Sequence, residues 1–356
     1  MDYVYKFPVV KGVQAGKEYF IAMVPLKMIA RLFPGEEEYV PPEYRAQRKL
    51  NEARVPVISK YITDNRDTYV FSALAASIDG DFTFRADHED STTGVLEVSM
   101  DARFLINDGQ HRKAAIMDAV QNDESLGEET ISIVFYEDKG LARSQQIFTD
   151  LNKNAVKTSN SISELYDSRD SLAVMTRNAI MNNEFLNSFT DKEKDILGKY
   201  SSNLFTLNTF YTANRYIFGT RNVDNEKRAK EFLETYWNLV VQNMVQWNEL
   251  QDKEISKVDL RENYIATQGI VIQAFGKLGN YFYEHPEIDM EKILPGLREI
   301  NWKRAASIWN GRAIRDNGRI ITNKRAVVLI TNTLKKVLRI PLSEEESIAE
   351  TKYKTR

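Results

Sequence analysis

The chain has 356 residues, enough for two domains and a large core, and its 42% hydrophobic and 28% charged residues with a net charge of −3 describe an ordinary soluble globular protein. It contains no cysteine, which excludes disulfides, thiolate metal sites, iron–sulfur ligation and cysteine nucleophiles, and its histidines, His88, His111 and His285, are too scattered for a short-range zinc motif. No run approaches the roughly 20 apolar residues that cross a bilayer, and the N-terminus, with Asp2, Tyr3 and Lys6, lacks the apolar core of a signal peptide, so a cytoplasmic protein with no membrane partner is expected.

Residues 3–33 alternate short apolar runs, Tyr3 to Val10 and Tyr19 to Val24, with Gly12 and Gly16 between them, and predict a strand pair with a Gly-containing loop. After Pro34-Gly35 and the acidic loop Glu36 to Glu38, Pro41-Pro42 opens a helix over Glu43 to Arg54. Pro56 interrupts it before a second amphipathic segment around Ile58, Tyr61 and Ile62. Arg45, Arg48, Lys49 and Arg54 read as the polar face of that helix. Residues 68–84 combine a buried apolar run with an Asp79-Gly80 turn, Gly94 to Met100 alternate as a half-buried strand, and Arg103 to Asn107 follow as its neighbour.

The next residues, Asp108-Gly109-Gln110-His111-Arg112, concentrate the chemistry. From Gln110 onward Ala115, Ile116, Ala119 and Val120 fall on one helical face, so the stretch reads as strand, tight turn, helix. His111, Arg112 and Lys113 crowd cations into the first helical turn, where the dipole already makes the field positive. An anion over the turn resolves that conflict, because backbone N–H groups, dipole and Arg112 then converge on it, and a phosphate fits. The other reading is a solvated turn with Asp108 as N-cap and Gly109 supplying an unusual backbone angle. On the first reading Arg112→Ala should lose the ligand without lowering the melting temperature, and the two flanking cations should make His111 harder to protonate. The apolar run Ile131 to Tyr136 adds a strand, which completes a small α/β unit with the turn at the C-terminal end of a strand.

The five-residue signature on a strand–turn–helix resembles the DGQHR-domain family, and the rest of the chain resembles the DndB family of regulators found with bacterial DNA phosphorothioation systems. More distantly, Val70 to Ser159 is similar to the ParB/sulfiredoxin-like domain, in which a Gly-x-His-Arg box touches nucleotide phosphates. Here that box is Gly109, His111 and Arg112. The resemblance adds Arg48, Asn51 and Arg54, from an Arg-x-Leu-Asn-x-x-Arg stretch, as further phosphate contacts. It also adds Asn152, from the Asp-Leu-Asn stretch that ends a short helix over Ala142 to Asp150, and with it Lys157, as completing the phosphate site.

A capping-box pattern at Ser161-x-x-Glu164 starts a helical second half, and Thr190-x-x-Glu193 marks another helix start. Apolar stripes run along Asn225 to Leu250 and Asp259 to Tyr283. Trp302, Ala305, Ala306 and Trp309 share a stripe, Asn310-Gly311 and Asn317-Gly318 mark turns, and Thr322 or Asn323 caps a last helix. From Arg298 to Arg339 eleven basic residues face two acids, an excess of +9 that leaves −12 on the remainder. An acidic body with one basic end suits attraction to a polyanion, with Arg312, Arg315, Arg319, Lys324 and Arg325 as the DNA-binding candidates.

The fold expected is α+β: a ParB-like α/β domain over residues 1–158, then a mainly helical domain over 159–356. The resemblance implies a DNA-binding repressor acting at the promoter of a modification operon, alongside other DNA sulfur modification proteins, and possible as a homo-oligomer on a palindromic site. The competing reading is a nucleotide hydrolase, an ATPase whose turn binds ATP or another nucleotide and whose Asp108 holds a magnesium ion or positions water. The Walker loop Gly-x-x-x-x-Gly-Lys-Ser/Thr does not occur, and neither zinc nor an iron–sulfur cluster is expected.

Overall fold

The computed structural model describes residues 3–34, 50–137, 146–151, 158–198, 200–219, 223 and 225–354. They fall into two compact units, Met1–Val156 and Lys157–Arg356, and the whole is α+β. Among the described residues no helix is long and apolar enough to cross a membrane.

In the first unit, β1 (Val4–Gln14) and β2 (Lys17–Pro25) form an antiparallel hairpin turned at Ala15-Gly16, both left-handed. Such a turn matches the twist of the strands it joins. Gly12 lies inside β1 opposite Tyr19, not in the loop where the sequence places it. The short α1 (Ile29–Leu32) follows, and then α2 (Val55–Asp64), with Pro56 in its first turn; the helix expected over Glu43 to Arg54 lies mostly outside the described residues. A missing N–H there has no intrahelical partner to lose. Next come β3 (Leu74–Asp79), β4 (Phe82–Ala86), β5 (Thr93–Ser99), β6 (Arg103–Asp108), α3 (Gln110–Asn122), β7 (Thr130–Glu137) and a helical segment, α4, at 146–151.

The strands make one sheet in the order β4-β5-β1-β2-β7-β3-β6, antiparallel except for β3 against β7. β3 and β4 stand five places apart in that order, about 24 Å across a flat sheet. Only Gly80 and Asp81 join them, a link that reaches about 11 Å. The sheet therefore curls on itself, and Asp79-Gly80 is a crossing from β3, the strand next to one edge, to β4 at the other edge, not a hairpin. The inward rings confirm the curl: Phe7 of β1 meets Phe104 of edge strand β6 at 6.2 Å, and Phe20 of β2 meets Phe84 of the other edge strand, β4, at 5.5 Å.

The second unit is helical: α5 (Asn160–Tyr166), α6 (Ser171–Met181), α7 (Glu184–Phe189), α8 (Leu207–Phe218), α9 (Glu226–Asn243), α10 (Val245–Gln251), α11 (Lys257–Asn263), α12 (Gly269–Glu284), α13 (Met290–Ile293), α14 (Lys324–Val337) and α15 (Glu344–Lys354). A two-strand parallel pair, β8 (Thr190–Asp191) with β9 (Phe205–Thr206), interrupts the helices. α12 is buried nearly all round and runs against α8 so closely that a Cβ on Gly276 would sit 2.3 Å from the Ala213 carbonyl oxygen.

Several local expectations shift. α5 is capped by Ser159, which accepts from the Ile162 N–H at 3.1 Å, while Ser161 is buried and donates to the Lys194 carbonyl. Thr190 ends α7 and enters β8 instead of opening a helix. The Trp302 to Trp309 stretch is turns and a 3₁₀ segment, although the two indoles stack at 5.5 Å. α14 is capped by Asn323, but it is not the last helix.

Candidate functional site

The signature turn is built by the end of β6. Ala75 pairs with Asp108 and Ala76 with Ile106, so Asn107 is the extra residue of a bulge, its buried amide oxygen accepting from Ser77 Oγ at 2.8 Å. A bulge bends a strand and re-aims the residues after it. Here it aims Gly109, with φ of 100°, where a Cβ would also meet Leu74 Cδ2 at 2.5 Å. Only glycine fits both the angle and the approach.

Gly109, not Asp108, occupies the N-cap position of α3, no side chain caps the helix, and its first turn contains no acid. The first N–H groups of a helix have no intrahelical acceptor, so this end is a positive terminus without a side-chain cap. Asp108 instead accepts from Arg112 Nη2 at 2.7 Å. Arg112 Nη1 reaches the carbonyl oxygens of Ser72 and Ala73, both at 2.7 Å. The guanidinium thus ties the segment entering β3 to the turn and is neutralised by its own neighbour, which removes the cation on which the sequence reading relied most.

His111 accepts the Asn51 backbone N–H on Nε2 at 3.1 Å, which requires a neutral ring carrying its proton on Nδ1. Burial, with the positive charge of Arg54 adding to it, lowers its pKa below the usual imidazole value. The direction is the one expected; the causes are burial and Arg54, not Arg112 and Lys113. The exposed Arg54, picked out by resemblance, is therefore within electrostatic reach of the turn. Gln110 Oε1 is buried without a hydrogen-bond partner. What the turn offers an anion is then a helix terminus and Arg54. A magnesium ion at Asp108 would compete with a guanidinium, and among the described residues no group of three or more metal-ligating side chains occurs. Arg48 and Asn152, with Arg45, Lys49 and Lys157, lie outside the described residues.

The basic segment divides in two. Arg315, Arg319 and Lys324 are exposed, and none pairs with an acid among the described residues. Arg312, expected on the DNA surface, is only 9% exposed, and its terminal nitrogens grip Glu350 at 2.8 and 2.6 Å. With α15 in this position both of its terminal nitrogens are taken. Arg325 is half-buried, with Nη2 3.4 Å from the Lys352 carbonyl. Lys335 and Lys336 pair with Glu346 and Glu350. Sequence reasoning missed these acids by ending its charge count at Arg339; the run Glu344-Glu345-Glu346 immediately after was the available signal. Beside Arg315 a cleft of about 940 Å³ is lined by three acids, Asp259, Glu262 and Asp316, and three bases, Lys303, Arg304 and Arg315, a balance that does not favour phosphate.

The chain matches no curated protein and no solved structure, so the ParB- and sulfiredoxin-like reading rests on the Gly109 to Arg112 box. One family model matches residues 7–341, nearly the full length. Its description is DNA-sulfur modification-associated. The chain belongs to the DndB family.

Proposed function

We propose that this protein is a DNA-binding regulator, a repressor, of a DNA phosphorothioate modification operon, and that its signature turn receives a phosphate from a nucleotide or from DNA. The observation that carries the first part is the set of exposed cations without ion-pair partners among the described residues, Arg315, Arg319 and Lys324, in a family tied to DNA sulfur modification. Such cations are free to exchange water for backbone phosphates. The uncapped, acid-free start of α3 supports the second. The Asp108–Arg112 pair favours binding over magnesium-dependent ATP hydrolysis, since the carboxylate that would hold the metal is already neutralised.

The test is an anisotropy titration of promoter duplex, with and without each nucleoside triphosphate and magnesium, with released phosphate measured in parallel. Saturable, salt-sensitive DNA binding that a nucleotide modulates, with no release of phosphate, is expected. Turnover abolished by Asp108→Asn would replace the regulator with the hydrolase, and no DNA binding at low salt would remove it.

A further inference from the structure

α15 is tied to its unit by charge pairs and hydrogen bonds. Among its described residues the two buried ones are acids: Glu346 takes Lys335 Nζ at 2.7 Å, and Glu350 takes the Arg312 fork together with Lys336. Asn332 Nδ2 donates to the Glu346 carbonyl at 2.8 Å, Tyr353 donates its hydroxyl proton to the Asn310 carbonyl at 2.7 Å, and the Arg312 guanidinium lies over the Tyr353 ring. Ile348, its one large aliphatic residue, is 49% exposed. α14 has two unlike sides. Ala326, Val327, Ile330 and Leu334 join the hydrophobic core, whereas Asn332, Lys335 and Lys336 bond to α15, and Leu329 is buried apart from that core.

A helix docked in this way is replaceable. A helix of this length is marginal alone, and the charge pairs that hold it can be exchanged for pairs with another anion. The fork that Arg312 presents to a carboxylate suits a phosphate diester equally well. We infer that Arg312, Lys335 and Lys336 form a second DNA-backbone surface, which α15 occupies as an internal stand-in for phosphate and vacates when DNA binds. The inference rests on the DNA-binding reading of Arg315, Arg319 and Lys324. Arg325, now against the Lys352 carbonyl, is released by the same movement. Arg312, with Lys336 and Asn332 assisting, holds Glu350 at about 2, so it stays ionised at physiological pH and the exchange answers to polyanion and salt.

The experiment uses the full chain, with a labelled promoter duplex as probe. Anisotropy compares wild type with Glu346→Gln/Glu350→Gln across salt concentrations, and amide hydrogen exchange follows residues 344–354 of wild type with and without saturating duplex. A strap docked about nine parts in ten masks its surface about tenfold, so the double variant should bind roughly tenfold tighter. The α15 amides of wild type should lose protection on the DNA. The exchange arm uses the unaltered chain and does not depend on how the variant folds. If wild type binds duplex and α15 keeps its protection, α15 is a permanent part of the fold and this inference alone is overturned. If neither protein binds duplex at low salt, the DNA-binding reading falls, and this one with it.

Discussion

Arg112 carries the lesson at the residue scale. A cation in the first turn of a helix invites a ligand reading, yet its guanidinium is spent on Asp108 and on two carbonyls some 40 residues upstream. The strand, the left-handed Gly109 and the helix start were legible because they are short-range; the partners of Arg112 were not, because nothing local announces Ser72. Arg112→Ala is accordingly expected to lower stability by about 1–3 kcal/mol, the cost of leaving polar partners unmet, and not to leave the melting point unchanged. At roughly 2–4 °C per kcal/mol the change is readable in a thermal melt. An unchanged melting temperature would show that the clamp does nothing for the fold. His111 offers a second test. Its folded pKa lies below its unfolded value, so its contribution to stability is present above the ordinary imidazole pKa and fades as pH falls through the folded one. An NMR titration should find that Arg54→Ala moves the midpoint up, towards the free value; no movement would separate Arg54 from the site.

At the scale of elements, periodicity carried far where an apolar face exists. The stripes of Asn225 to Leu250 and Asp259 to Tyr283 correspond to α9 with α10 and α11 with α12, the breaks falling at Met244 and at residues 264–268. Two similar capping patterns met different fates, since Ser161 and Thr190 were claimed by tertiary partners and short strand pairing. α15 went unread because it has no apolar stripe to read. Gly276 shows how packing reverses propensity: alanine there gains about 1 kcal/mol of intrinsic helix preference, but its Cβ would strike the Ala213 carbonyl. Gly276→Ala should be destabilising by about 1–3 kcal/mol net, as overpacking usually is, and chemical denaturation decides the sign. Glu350 gives α15 an acid limit. Its pKa drops from 4.5 to about 2 on folding, so its stabilising contribution is complete above 4.5 and is lost as pH falls towards 2. The stability difference between wild type and Glu350→Gln should therefore be flat from pH 8 to 5 and shrink below; a difference that shrinks around neutrality would contradict the pairing.

Across the whole molecule, the change from alternating strands to helical stripes made the α+β class legible. The curl of the sheet was hidden, because it follows from a short link set against a strand order that no local pattern reveals. Charge was legible in sum but not in effect, since part of the basic excess is cancelled by acids beyond the counted segment. For the part that remains, Arg315→Ala/Arg319→Ala/Lys324→Ala should weaken binding to every duplex alike and flatten the log–log salt slope by about two to three, near 0.9 for each phosphate no longer neutralised. Wild-type affinity and slope in that variant would mean ordinary solvated surface. The distribution of indole rings has its own use. All four tryptophans, Trp237, Trp247, Trp302 and Trp309, are buried in the second unit, and residues 1–156 contain none. Emission excited at the indole band thus watches one unit, while far-ultraviolet ellipticity watches both. Arg112→Ala should move the ellipticity transition and leave the emission transition in place; if both move together, the two units unfold as a single cooperative body.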